Sequence, residues 1–115
     1  MKPNILSVIL QAIEEKKGTQ VVCLNLKGES DLCDFQVICT AENDRQSRAI
    51  AEAIQTKCLE LLKIKPAYIE GKSGGLWILM DFGSYLIHIF QKEYRDYYAL
   101  ESIWPNAQFD PKKQN

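Results

Sequence analysis

The chain has 115 residues, 46% of them hydrophobic and 25% charged, which is the usage of one globular domain and far from that of disordered chains. Fourteen Lys and Arg against fifteen Asp and Glu leave a formal net charge of −1, so the broad positive field that grips DNA or RNA is missing. Direct nucleic-acid binding is therefore not expected as the main activity.

The first predicted helix covers residues 4–17. Ile5, Val8, Ile9, Ala12 and Ile13 recur at helical spacing, with Pro3 near the first turn and Gly18 just past the end. A short β-branched run at 21–26 predicts a first strand, halted by Lys27, Gly28, Glu29 and Ser30, and residues 34–40 predict a second. Asn43 followed by Gln46 has the form of a capping box. Behind it Ile50, Ala53, Ile54, Cys58, Leu61 and Leu62 mark one face of a long helix over 44–63. Pro66 ends any continuation, and Tyr68, Ile69 and Glu70 read as a short extended piece before the glycine-rich 71–75. Strands at 76–82 and 85–90 flank a Gly83-Ser84 turn, and a last helix over 92–104 stops at Pro105. The fold class expected is a single α/β domain over 1–107, a mixed sheet of about five strands flanked by helices, followed by a polar tail over 108–115.

The hairpin carries most of the functional information. With a two-residue turn, Phe82 opposes Tyr85, and residues directly opposed share a face. One face then holds Ile78, Met80, Phe82, Tyr85, Ile87 and Ile89, and must lie under helices. The other holds Trp77, Leu79 and Asp81 opposite Phe90, His88 and Leu86. Large apolar groups mixed with one acid and one imidazole are not a usual solvent face. Three uses compete: burial under the last helix with its Tyr94, Tyr97, Tyr98, Leu100 and Trp104; a catalytic floor; or a docking surface for a partner.

Several chemistries lack their residues. Gly71-Lys72-Ser73 imitates the end of a phosphate loop, but Pro66 stands where that motif needs glycine and a strand follows where a helix is required. Asp81 is the only carboxylate inside the hairpin strands, too few for a two-metal phosphoryl-transfer centre. The four cysteines, Cys23, Cys33, Cys39 and Cys58, contain no C-x-x-C pair, and one histidine does not complete a zinc set. No metal and no cofactor are expected. Cys23, Cys39 and Cys58 fall in apolar positions where free cysteine acts as a small core residue. No apolar run reaches the roughly 20 residues that span a bilayer, so a cytoplasmic protein with reduced thiols and no membrane contact is expected.

Four segments together resemble the ribosomal silencing factor S family, also called Iojap or RsfS. They are residues 34–40; Arg45-Gln46 with Ala49-Ile50-Ala51; Glu70-Gly71 leading to residues 77–83; and His88-Ile89-Phe90 running on to Arg95, Tyr98, Leu100-Glu101 and Trp104. Gln36 and Cys39 stand where an aromatic and an alanine are more usual, and Ser84 where an acid is common. The resemblance implies a nucleotidyltransferase-like α/β domain without catalytic residues. It implies a protein that is not an enzyme and that binds ribosomal protein fourteen on the large ribosomal subunit. By occupying that surface such a protein blocks subunit joining and represses translation, and a role in large-subunit maturation is also ascribed to the family. Under this reading Trp77, Leu79 and Phe90 are apolar anchors, Asp81 and Glu101 meet basic groups of the partner, and His88 and Tyr98 supply hydrogen bonds. Two alternatives stay beside it: a nucleotidyltransferase-like or phosphate-handling enzyme, which needs carboxylates converging with Asp81, and a homodimer built on the same oily face.

Overall fold

The computed structural model describes residues 4–31 and 33–111, and the side chains of all of these except Tyr97, Tyr98, Leu100 and Glu101. In chain order the elements are α1 (Ile5–Glu15), β1 (Thr19–Asn25), β2 (Phe35–Ala41), α2 (Asp44–Leu62), β3 (Tyr68–Glu70), β4 (Trp77–Asp81), β5 (Tyr85–Gln91), α3 (Lys92–Tyr98), a 3-10 turn (Leu100–Ile103) and β6 (Gln108–Phe109). The six strands form one mixed sheet in the order β3-β4-β5-β2-β1-β6. Only β2 and β5 run parallel, because the chain between them crosses over through α2; the remaining neighbours are antiparallel.

Local chemistry sets the helix ends. Asn4 accepts the Ser7 backbone N–H at 2.8 Å and caps α1. Lys17, at φ 65°, turns the chain out of the helix, and the Gly18 N–H bonds back to the Ile13 carbonyl at 2.9 Å. At the start of α2 the Asn43 side chain accepts the Gln46 N–H at 2.8 Å, while the Gln46 carboxamide accepts the Glu42 N–H at 2.7 Å. This is the expected capping box with its return bond moved one residue upstream. Gln46 Nε2 also donates to the carbonyls of Lys16 and Lys17 at 2.9 and 3.0 Å, tying the end of α1 to the start of α2. Asn43→Ala is expected to lower stability by about 1 kcal/mol, the usual cost of an N-cap, as read from the urea midpoint at unchanged slope.

Both helices pack on one side of the sheet. Ile78, Met80, Ile87 and Ile89 are fully buried there with Val37 and Cys39, against Val8, Ile9, Ala12 and Ile13 of α1 and Ile50, Ala51, Ile54 and Cys58 of α2. The hairpin face that had to lie under helices does so, and the pairing of Trp77 with Phe90, Leu79 with His88 and Asp81 with Leu86 follows the expected register. A smaller cluster of Leu24, Leu26, Cys33, Ile38, Phe90 and Ala107 fills part of the opposite side, with Tyr94 and Trp104 packed over it.

Two expectations are corrected. The last helix does not run from 92 to 104: it ends at Tyr98, and Ala99 at φ 43° passes the chain into the 3-10 turn. This break lets Trp104 and Ala107 fold back onto the sheet. The sheet has six strands, the sixth inside the segment read as polar tail. Phe109 pairs with Cys23 and Gln108 with Leu24, and Phe109 packs against the main core. A two-residue strand is shorter than any alternation pattern, so its order comes from the β1 edge it meets.

Candidate functional site

The side of the sheet away from α1 and α2 carries the candidate surface, and the loop before β4 sets its geometry. Gly71 has φ +88°, and a Cβ there would collide with the Trp77 carbonyl. The Gly75 carbonyl accepts from Ser47 Oγ at 2.7 Å and from Gln91 Nε2 at 3.0 Å. Arg48 pairs with Asp44 at 2.8 Å and reaches the Lys72 and Ser73 carbonyls at 3.4 and 3.3 Å. The phosphate-loop look-alike is thus a tethered connection from β3 to β4 that fixes where Trp77 begins its strand.

Trp77 projects to the predicted face. Its ring centroid lies 4.8 Å from that of Phe90, and its indole N–H donates to His88 Nδ1 at 3.1 Å. A nitrogen that accepts carries no proton, so that bond assigns the neutral imidazole its proton on Nε2. Burial pushes the His88 pKa down to about 4, so the ring is uncharged at neutral pH. His88 Nε2 and Gln36 Oε1 are both buried without a hydrogen-bond partner among the described residues. The imidazole is therefore a buried prop for the indole.

The seven residues singled out from sequence divide by exposure. Trp77, Leu79 and Asp81 are half-buried and reach the surface, as does Leu86 beside them. Asp81 Oδ1 accepts the Gly83 N–H at 2.7 Å, so the acid also holds the hairpin turn. Phe90 is 0% exposed and His88 is buried, so in this conformation neither offers surface to a partner; Phe90 belongs to the second core cluster, under Trp77 and the folded-back C-terminal segment. The Tyr98 and Glu101 side chains lie outside the described residues. The inner part of this face is buried under α3 and residues 104–107, and its outer part, toward β3, is half-buried among the described residues.

Sequence reasoning missed two features here. Tyr68 on β3, 48% exposed, stands opposite Asp81 and extends the patch across the edge strand; the Tyr68-Ile69-Glu70 alternation was the available signal. Arg95, buried in α3, donates to Thr40 Oγ1 at 2.9 Å, and that hydroxyl donates to Gln20 Oε1 at 3.0 Å. This chain of polar groups fastens α3 to the sheet.

Among the described residues no group of three or more His, Cys, Asp or Glu is arranged to hold a metal, and no helix is long and apolar enough to cross a membrane. All four cysteines are free and buried. Burial raises the thiol pKa of Cys23 and Cys58 to about 11 and of Cys39 to about 12. At neutral pH they remain thiols, poor nucleophiles packed as core.

Comparison with known proteins agrees with this architecture. The sequence model of the family described as ribosomal silencing factor during starvation matches residues 1–115. A ribosomal silencing factor RsfS from Halalkalibacterium halodurans is 37% identical over 104 residues, covering 90% of this chain and 88% of that protein. A crystal structure of a Bacillus halodurans protein superposes with a TM-score of 0.81 at 35% identity, covering 92% of this chain and 96% of that one. A mouse protein named for mitochondrial assembly of the ribosomal large subunit is 26% identical, over 91% of this chain and 47% of its own length. With the family model matched from end to end and the same fold in a solved relative, the chain belongs to the ribosomal silencing factor family.

Proposed function

We propose that this protein binds the large ribosomal subunit through ribosomal protein fourteen, using the outer part of the Trp77 face, and sterically blocks subunit joining. The carrying observation is the half-buried apolar patch of Trp77, Leu79 and Leu86, bordered by Asp81 and Tyr68, which reaches the surface among the described residues beside a fully buried inner part of the same sheet face. An apolar centre with an acid at its rim has the composition of an interface, and the acid suits a basic ribosomal partner. Trp77 and Leu79 are the anchors. His88 and Phe90 act beneath them, holding the indole in place. Tyr98 and Glu101 keep the contact roles that the family resemblance gives them. The action is occupancy, with no chemical step, and the cysteines and Asp81 supply no competing catalytic set. A part in large-subunit maturation would use the same contact.

The test is sedimentation. Added protein is expected to migrate with isolated large subunits, to leave small subunits unbound, and to reduce the joined-ribosome peak in a sucrose gradient. Failure to co-migrate at saturating amounts would refute the proposal. Sedimentation of the protein alone as a dimer, lost on substitution of Trp77, would favour self-association through this face.

A further inference from the structure

Asp44, Ser47 and Arg48 stand at i, i+3 and i+4 at the start of α2, so they share one stripe of the helix. That stripe meets the 71–75 loop. Ser47 is 0% exposed although polar, and its hydroxyl lies 2.7 Å from the Gly75 carbonyl and 2.9 Å from the Asp44 carbonyl of its own helix. A hydroxyl has one proton to give, and the shorter contact is the one to the loop. From the other side Gln91, the last residue of β5, donates from Nε2 to the same Gly75 oxygen at 3.0 Å, so both lone pairs of that oxygen are used. The approach requires glycine: at φ +71°, a Cβ on residue 75 would come within 2.8 Å of Asp44 Cβ and 3.0 Å of Ser47 Oγ.

This clamp bears on Trp77. Leu76 alone separates Gly75 from Trp77, the first residue of β4, and the Leu76 carbonyl accepts the Gln91 backbone N–H at 3.0 Å. The first residue of a strand has regular ladder pairing on its downstream side only, so its direction depends on what fixes the residues before it. Here Ser47 holds them from the helix and Gln91 from the neighbouring strand. Alternation then sends the indole to the side of the sheet away from α2, where its N–H meets His88 Nδ1 at 3.1 Å. Gln91 continues the alternation of the buried Ile87 and Ile89, so its side chain belongs to the α2 side.

We infer that Ser47 and Gln91 are positioning residues for the Trp77 anchor, acting through the Gly75 carbonyl from the opposite side of the sheet. The inference rests on the docking role proposed for Trp77 and adds the residues that aim its indole. Neither side chain lies on the docking face, so neither touches the partner. The loop that imitates a phosphate cradle serves as the link between α2 and that face.

Nitrogen-resolved NMR of the full chain reads the Trp77 indole N–H directly, with the Trp104 indole as internal reference, and sedimentation with isolated large subunits reads docking. Ser47→Ala and Gln91→Leu each remove one donor, and one net hydrogen bond is worth about fivefold in an equilibrium constant. Each variant is therefore expected to speed solvent exchange of the Trp77 indole N–H about fivefold and to weaken large-subunit binding about fivefold. Asn4→Ala, which removes the cap of α1 at a similar cost in stability, is expected to leave both readouts within about twofold of the parent. Should Ser47→Ala not fold, Gln91→Leu carries the test, because residue 91 is only part-buried. Parental indole exchange in the variants overturns the inference, and so does an equal change in Asn4→Ala, which assigns the effect to general instability. A parent that binds large subunits while the variants bind equally well overturns this inference and leaves the proposed function standing. A parent that does not bind refutes the proposed function, whereas the indole exchange is read without any ribosome.

Discussion

Trp77→Ala is expected to weaken binding to the large subunit by about 2–4 kcal/mol, the range for a central aromatic anchor, and to lower folding stability by about 2 kcal/mol as well. The second loss follows from the geometry. Removing the indole strips the contact with Phe90, at 4.8 Å between ring centroids, and leaves buried His88 Nδ1 without the donor it has at 3.1 Å. An orphaned buried acceptor costs about 1–3 kcal/mol. Trp77→Phe separates the two effects, because it keeps most of the apolar area and loses only the N–H. It should recover much of the packing and little of the hydrogen-bond term. Urea unfolding and large-subunit co-sedimentation of both variants, side by side, provide the check. Parental binding by Trp77→Ala would remove this residue from the docking surface.

Acidification is expected to destabilise the protein through His88. Its pKa is about 4 in the fold and about 6.5 in an unfolded chain. Between these values the unfolded state takes up a proton that the folded state refuses, so unfolding is favoured as the pH falls. The stability present above pH 6.5 is lost progressively down to about pH 4, by about 3 kcal/mol in all. His88→Asn offers the Trp77 N–H an oxygen acceptor and does not titrate, so its stability should be nearly flat across that window. The Asp44 carboxyl, held below the usual carboxylate range by its hydrogen bond to Arg48, acts at lower pH and leaves the comparison clean. Unfolding measured at half-unit steps from pH 7 to pH 4 reads the difference directly. Equal slopes in the parent and His88→Asn would show that the imidazole is not the titrating group.

These two residues also mark the boundary of what one dimension of sequence can specify. Alternation put Trp77, Leu79, Asp81, His88 and Phe90 on one face and Ile78, Met80, Ile87 and Ile89 on the other, and the hairpin register confirms both sets. This works because side-chain direction in a strand has period two and the Gly83-Ser84 turn fixes the pairing. The two long helices were legible for the same kind of reason: apolar residues at helical spacing and the Asn43 and Gln46 capping box are local signals. The family was legible too, since its motifs are runs of neighbouring residues in a fixed order.

Exposure along the second face was not legible. Trp77 and Phe90 have the same apolar character and lie opposite each other, yet one reaches the surface and the other is fully buried. The difference comes from the C-terminal segment, which breaks at Ala99 and returns Trp104 and Ala107 to the sheet near Phe90. β6 has the same origin, because two residues acquire strand structure only where the β1 edge offers hydrogen bonds to Gln108 and Phe109. Sequence by itself determined α1, α2, the first five strands, the facing of the hairpin and the family, all of which depend on residues close together in the chain. Tertiary structure alone decided which part of the oily face is fully buried, because that depends on where a segment distant in sequence comes to rest.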